Sequence, residues 1–202
     1  MKTLKIPYAD GFGDLAGFAA AVLDEVPWAD EYPYKPSVRL FAAHNEEALL
    51  LRFEVEEDDV RAVCLTANGP VWEDSCVEFF VKTPGSPFYF NFETNCIGTG
   101  LAAKRTSRTD CSHFSSDMMR KVIRRSSLPA EPMKGGKGAW SLELEVPFGV
   151  LDCGAKPHTL MANFYKCGDK TAQPHFISWA PIGCPTPDFH RPEYFGKLEL
   201  QW

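Results

Sequence analysis

Apolar and polar residues alternate along much of this chain, and the two densest alternating runs lie between Pro70 and Gly98. In the first run Val77, Phe79 and Val81 fall on one side, with Cys76, Glu78 and Phe80 opposite. In the second, Phe88, Phe90 and Phe92 face away from Tyr89, Asn91, Glu93 and Asn95. A period of two belongs to an extended strand, because successive side chains leave opposite faces of the pleat. Pro84, Gly85, Ser86 and Pro87 separate the runs, which predicts an antiparallel pair joined by a short connection.

The same patterning predicts strands at 4–8, 61–66, 98–104, 121–126, 139–146, 159–167 and 197–200, and a hairpin of 37–43 with 48–54. Residues 15–26 are apolar, with Asp24 and Glu25 interrupting and Pro27 following, and predict a short amphipathic helix. PWADEYPYKP, 27–36, holds three prolines and predicts a loop clamped to the body by Trp28, Tyr32 and Tyr34. The charge run 56–59 reads as a solvated turn, and polar 105–117 as a mobile loop beside the site. About ten short strands separated by turn signals indicate an all-β fold, an antiparallel β-sandwich of jelly-roll type with one short N-terminal helix. No repeat or linker divides the chain, so 1–202 reads as one domain with 1–35 as an N-terminal extension packed on it.

Composition narrows the function classes. The net charge of -6 and the lack of a long basic stripe argue against nucleic acid. No run of 18 apolar residues occurs that would span a membrane. MKTLKIPYADGFGDL lacks the apolar stretch of a signal peptide. Seven widely spaced cysteines without a C-x-x-C favour a reducing setting. Together these predict a cytoplasmic protein, with export left open. The five histidines are scattered, so no histidine-based metal site is assigned.

The face carrying Tyr89, Asn91, Glu93 and Asn95 is the candidate for chemistry. It sets an aromatic ring beside amides and a carboxylate, and Trp72, Asp74 and Glu78 precede it. A sugar needs that combination: a flat surface under its C–H face and planar groups around its hydroxyls. An ordinary polar strand face with one exposed tryptophan is the plain alternative.

The run VWEDSCVEFFV at 71–81 resembles the family-9 carbohydrate-binding modules attached to bacterial xylanases. The likeness continues through Asn91 to Asn95 with Gly98-Thr99-Gly100, the Trp140 strand ending at Pro147, NFYKCGD at 163–169, SWAPI at 178–182 and HRPEYFGKLEL at 190–200. It covers roughly residues 36 to 202 and looks closest to the stand-alone branch. The resemblance implies non-catalytic binding of a mono- or oligosaccharide of xylan or cellulose type. Trp72 matches the first of two sugar-sandwiching tryptophans and Glu78 the acidic group; Tyr89, Asn91 and Asn95 lie on the polar strand. The second tryptophan is replaced by His190, leaving Trp179 or Phe189 as further stacking candidates and Arg191 as a neighbouring contact. Structural calcium is implied by the resemblance and is not assigned, because no acidic cluster has the spacing of a calcium loop.

Two other functions compete. A glycoside hydrolase needs two carboxyls roughly 5–5.5 Å or 6.5–9.5 Å apart. Asp74 and Glu78 on one strand would stand about 13 Å apart, from ~3.3 Å per residue, so Glu78 with Glu93 is the candidate pair. A Cys167–His175 nucleophile pair is weaker, having no accompanying oxyanion-hole motif. The aromatic loops 28–34 and 179–195 allow a protein-docking role.

Overall fold

The computed structural model describes residues 1–153 and 156–202. Strands β1 (Thr3–Ile6) and β2 (Ala21–Val22) are short, and β3 (Ser37–His44) with β4 (Ala48–Glu57) forms the expected hairpin. After β5 (Arg61–Ala62) come the central pair β6 (Cys76–Lys82) and β7 (Tyr89–Asn95), then β8 (Gly100–Arg105) and β9 (Cys111–His113). A single-turn helix α1 (Ser116–Lys121) precedes β10 (Ile123–Ser126), β11 (Met133–Lys134) and β12 (Gly138–Pro147). Last come β13 (Thr159–Cys167), β14 (Phe176–Ser178) and β15 (Gly196–Leu200).

Two sheets face each other. One runs β1-β15-β13-β6-β7-β8-β9, with β14 also on β13; the other runs β10-β12-β4-β3-β2. Among the named strands of the described residues, β1 with β15 is the parallel pair and the rest are antiparallel. Period-two alternation sends Val77, Phe79, Val81, Phe92 and Phe164 inward from the first sheet. They meet Leu40, Leu51, Phe53, Leu142 and Leu144 of the second. Burying each large side chain there contributes roughly 1.5–3 kcal/mol. Phe79 lies between Phe92 and Phe164, with ring centroids 6.0 and 5.1 Å away.

The outer face of the first sheet is covered too. Cys76, Phe80, Tyr89, Leu101, Tyr165 and Cys167 meet Trp28, Ile182, Phe189 and Phe195 from the loops, making a second, smaller core. Strands β6 and β7 are therefore buried on both sides, although one side reads as polar. Trp28 donates its indole N–H to the Cys184 carbonyl at 2.8 Å, which ties the 27–36 loop to the 182–195 segment. Of the aromatics proposed for protein docking, Trp28, Trp179, Phe189 and Phe195 are buried, whereas Tyr32, Tyr34 and Tyr194 are partly exposed.

Several expectations are corrected. The helix at 15–26 does not form; a 3-10 turn, Phe12–Gly17, is followed by β2, and Glu25 bridges Ser178. The reason is that the apolar residues of this stretch serve two faces. Leu15 packs with Ala9, Ala43 and Leu50, whereas Leu23 enters the inter-sheet core. A helix would have put them on one stripe. The strand predicted at 61–66 shortens to Arg61–Ala62, and the loop at 105–117 contains β9 and the start of α1.

The charge run 56–59 is only partly solvated. Glu57 continues the inward face of β4 and is buried, with its Oε2 2.9 Å from the Lys166 ammonium of the opposite sheet. Lys166 also donates to His175 Nε2 at 2.7 Å and to the Cys167 carbonyl at 2.9 Å. Trp140 N–H completes the cluster on Glu57 Oε1 at 2.7 Å. Burial, reinforced by the Lys166 charge, pushes the His175 pKa down to about 2, so the ring is neutral.

Candidate functional site

The register of β6 and β7 sets Glu78 directly opposite Glu93. Both side chains leave the outer face of the first sheet, and both line a cavity of about 400 Å³. The walls come from Trp72, from Arg105 at the end of β8 and Phe176 at the start of β14, and from the loop residues Tyr32, Arg108, Asp169, Asp188, Phe189 and His190. Trp72 sits in a 3-10 turn, Val71–Glu73, started by Pro70. The turn is pinned by Asp169 N–H to the Trp72 carbonyl at 3.2 Å and Lys170 N–H to the Glu73 carbonyl at 3.0 Å. Trp72 is 37% exposed and lines the cavity, so part of the residue stays open to solvent.

Both carboxyls are buried, and among the described residues neither forms a salt bridge. Glu78 accepts from the Cys167 thiol at 3.1 Å, and Glu93 from the Asn91 amide at 2.7 Å. Burial, and then the charge of Glu93, pushes the Glu78 pKa well above the usual carboxylate range. Burial pushes Glu93 up to about 7. Asp169 rises to about 6, again by burial, with Glu73 adding to it. His190 is the opposite case: burial, then Arg105 and Arg108, push it down to about 3. Its Nδ1 lies 3.0 Å from the Tyr89 hydroxyl. A neutral ring that accepts there keeps its Nε2–H as a donor.

Arg105 orders this wall from behind. Its Nε donates to Asn91 Oδ1 at 2.7 Å, and an Nη donates to the Arg108 carbonyl at 2.8 Å. The chain Arg105–Asn91–Glu93 therefore fixes the orientation of one pocket carboxyl. Acids that donate when protonated and accept when ionised stand beside an imidazole, guanidinium groups and a partly exposed tryptophan. Such a lining hydrogen-bonds hydroxyls in both senses while covering one apolar ring face.

Of the residues expected from sequence, Trp72, Glu78, Glu93 and His190 converge on the cavity. Tyr89 and Asn91 stand one layer back, holding His190 and Glu93. The remaining four lie elsewhere. Asp74 is buried, accepting the Val63 and Cys64 N–H groups at 2.9 Å each and pairing with Arg61 at 3.3 Å. Asn95 donates to Asp74 and the Cys64 carbonyl and accepts from Thr99 N–H, so it locks turns. Trp179 belongs to the inter-sheet core, edge-on to Phe164 at 5.7 Å, and is 2% exposed. Arg191 pairs with Glu193 at 2.7 Å on the surface.

Of the stacking candidates beside His190, Phe189 does reach the cavity, but its ring is largely committed to Tyr165, stacked at 4.1 Å. The Cys167–His175 pair is not made: adjacent residues Lys166 and Cys167 point to opposite faces, and His175 goes with Lys166.

Arg105, Arg108 and Asp169 were not found from sequence. Arg105 carried a usable signal, because alternation through Leu101 and Ala103 puts it on the polar face opposite Tyr89. Arg108 and Asp169 sit in turns and carry none. For metals, the Cys, His, Asp and Glu side chains of the described residues gather closely enough at Cys76, Glu78 and Cys167. Two of those donors are sulfur, so the set does not suit the calcium implied by the resemblance.

The model of carbohydrate-binding family 9 matches residues 13–200. None of the curated proteins matches this chain. A crystal structure of a protein from Bacteroides uniformis assigned to carbohydrate binding is 39% identical, covers 99% of both chains and superposes with a TM-score of 0.92. Two structures of a family-9 module from Caldicellulosiruptor kristjanssonii share the fold at low identity. The cellotriose complex is 11% identical, with 99% of this chain and 94% of that one covered at a TM-score of 0.65. The glucose complex is 12% identical, with 99% and 96% covered at a TM-score of 0.58. The match over nearly the whole length, on a two-sheet β-sandwich, makes this chain a member of carbohydrate-binding family 9.

Proposed function

We propose that the cavity holds one end of an oligosaccharide, or a monosaccharide, stacking a sugar ring on Trp72 and pairing its hydroxyls with Glu78, Glu93, Asp169 and His190. The observation that carries this is the convergence of a partly exposed tryptophan and two opposed buried carboxyls on one cavity. Its size lies at the lower end of small-molecule sites, about 300–1,000 Å³. The enclosed floor favours a chain end over the middle of a long polymer. The family-9 module bound to cellotriose or glucose makes β-glucans the first ligands to try, with xylo-oligosaccharides beside them.

Calorimetric titration of the full chain with cello- and xylo-oligosaccharides and with glucose and xylose tests this reading. Saturable heat that disappears in Trp72→Ala supports it. The absence of heat across a broad sugar panel overturns it.

Hydrolysis is the second reading, because directly opposed cross-strand residues have Cβ atoms about 4.5–5.5 Å apart, compatible with a retaining pair. Binding is favoured by family membership and by the Cys167 and Asn91 bonds that already hold the two carboxyls. Reducing-sugar release by the wild type that stops in Glu78→Gln would reverse that order.

A further inference from the structure

We propose that Cys76, Cys167 and Glu78 bind a single thiophilic dication of the Zn²⁺ class at the floor of the cavity. Cys76 and Cys167 are directly opposed across β6 and β13. Glu78 lies two residues along β6, so the pleat puts all three on the outer face of the sheet. Their sulfur atoms and a carboxylate oxygen lie within 4.8 Å of one another, with Cys167 Sγ 3.1 Å from Glu78 Oε1. Metal–sulfur bonds of about 2.3 Å and metal–oxygen bonds of about 2.0–2.2 Å place tetrahedral donors roughly 3.4–3.8 Å apart. Small side-chain shifts close the three donors on one ion.

The donor set selects the metal. Two thiolates and one carboxylate suit zinc or its spectroscopic substitute cobalt, and exclude magnesium and calcium. Three protein ligands leave a fourth position, and since Glu78 and Cys167 line the cavity, that position faces it. Binding forms two metal–thiolate bonds and one metal–carboxylate bond, and the protons that these donors carry leave to solvent. The site does not depend on the sugar reading.

Reduced full-length protein titrated with Co²⁺ provides the test. One equivalent should bind with thiolate-to-cobalt charge-transfer absorption, and Zn²⁺ should displace it. Cys76→Ser and Cys167→Ser should each abolish the band. Cys111→Ser should keep it, since Cys111 is exposed and lies 4.0 Å from His113, where a surface ion would collect. If circular dichroism shows either serine variant unfolded, Cys76→Ala and Cys167→Ala take its place. A silent wild type overturns the proposal, as does a band that survives at Cys76 and Cys167 and is lost at Cys111.

Discussion

Glu78 and Glu93 occupy directly paired positions on β6 and β7, both buried and both facing one cavity. Two carboxylates so placed do not ionise independently. Burial, with the charge of Glu93 adding to it, holds Glu78 well above its ordinary range, and burial lifts Glu93 to about 7. The pair therefore retains a proton near neutrality, and the hydrogen-bonding character of the pocket changes with pH.

The sign for stability follows from these upward shifts. An acid whose folded pKa is raised binds more protons folded than unfolded, so its contribution is complete below about 4.5 and is lost as pH rises through about 7. His175 and His190, with lowered values, oppose it: their contribution is present above about 6.5 and is lost as pH falls. Comparing variants separates the two. In thermal melts from pH 4.5 to 8, Glu93→Gln should gain stability relative to wild type as pH rises. A constant offset between the two curves would refute a shared proton.

Trp72→Ala should weaken sugar binding by about tenfold or more, since the loss of a stacked ring is of order 1.4 kcal/mol or greater. The melting temperature should move little, because Trp72 is partly exposed and the turn is held by backbone bonds. Calorimetry and a melt on the same sample check both halves. A large loss of stability with intact binding would reassign Trp72 to packing.

Lys166→Met should destabilise the protein by about 3–5 kcal/mol, because it removes the cation paired with buried Glu57 between the sheets. A second change, Glu57→Leu, removes the remaining acid and should restore part of the loss. Urea unfolding of the single and double variants measures the coupling. Equal loss in both would place the cost in packing around Trp140 and His175.

Gly196→Ala should cost about 1–3 kcal/mol by overpacking. A Cβ there would lie 2.4 Å from the Trp179 ring and 2.8 Å from the Lys2 carbonyl. Neither can retreat easily, since Trp179 is in the core and the Lys2 carbonyl accepts Lys197 N–H at 2.9 Å. Unchanged urea unfolding would show that Trp179 has room to move.

Not every polar strand residue belongs to the site. Glu78, Glu93, Asp74 and Asn95 look alike as candidates, and alternation places Glu93 and Asn95 on one face. Two residues of displacement along β7 separate them. Glu93 ends beside the cavity, whereas Asn95 reaches Asp74 and the Cys64 carbonyl and holds the turns together. The helix expected at 15–26 failed for a related reason: Leu15 and Leu23 are recruited by different faces of the second sheet, and apolar content within a short window does not record which.

Glu57 marks where patterning carried more than was read from it. It follows Leu49, Leu51, Phe53 and Val55 at steps of two, so the pleat alone assigns it to the interior. Its charge argued for solvent, and only Lys166 on the opposite sheet resolves the conflict.

The order of residues by itself determined the long strands, their inward faces and the hairpins, because these rest on a local period of two and on turn chemistry between neighbours. It also determined that Glu78 and Glu93 lie on strands joined by one short turn. The tertiary structure decided which polar groups reach the cavity and which are absorbed in holding loops. That choice depends on contacts between segments far apart in the chain, such as Trp72 with Asp169, Tyr89 with His190 and Cys76 with Cys167, and no local pattern encodes the distance between them.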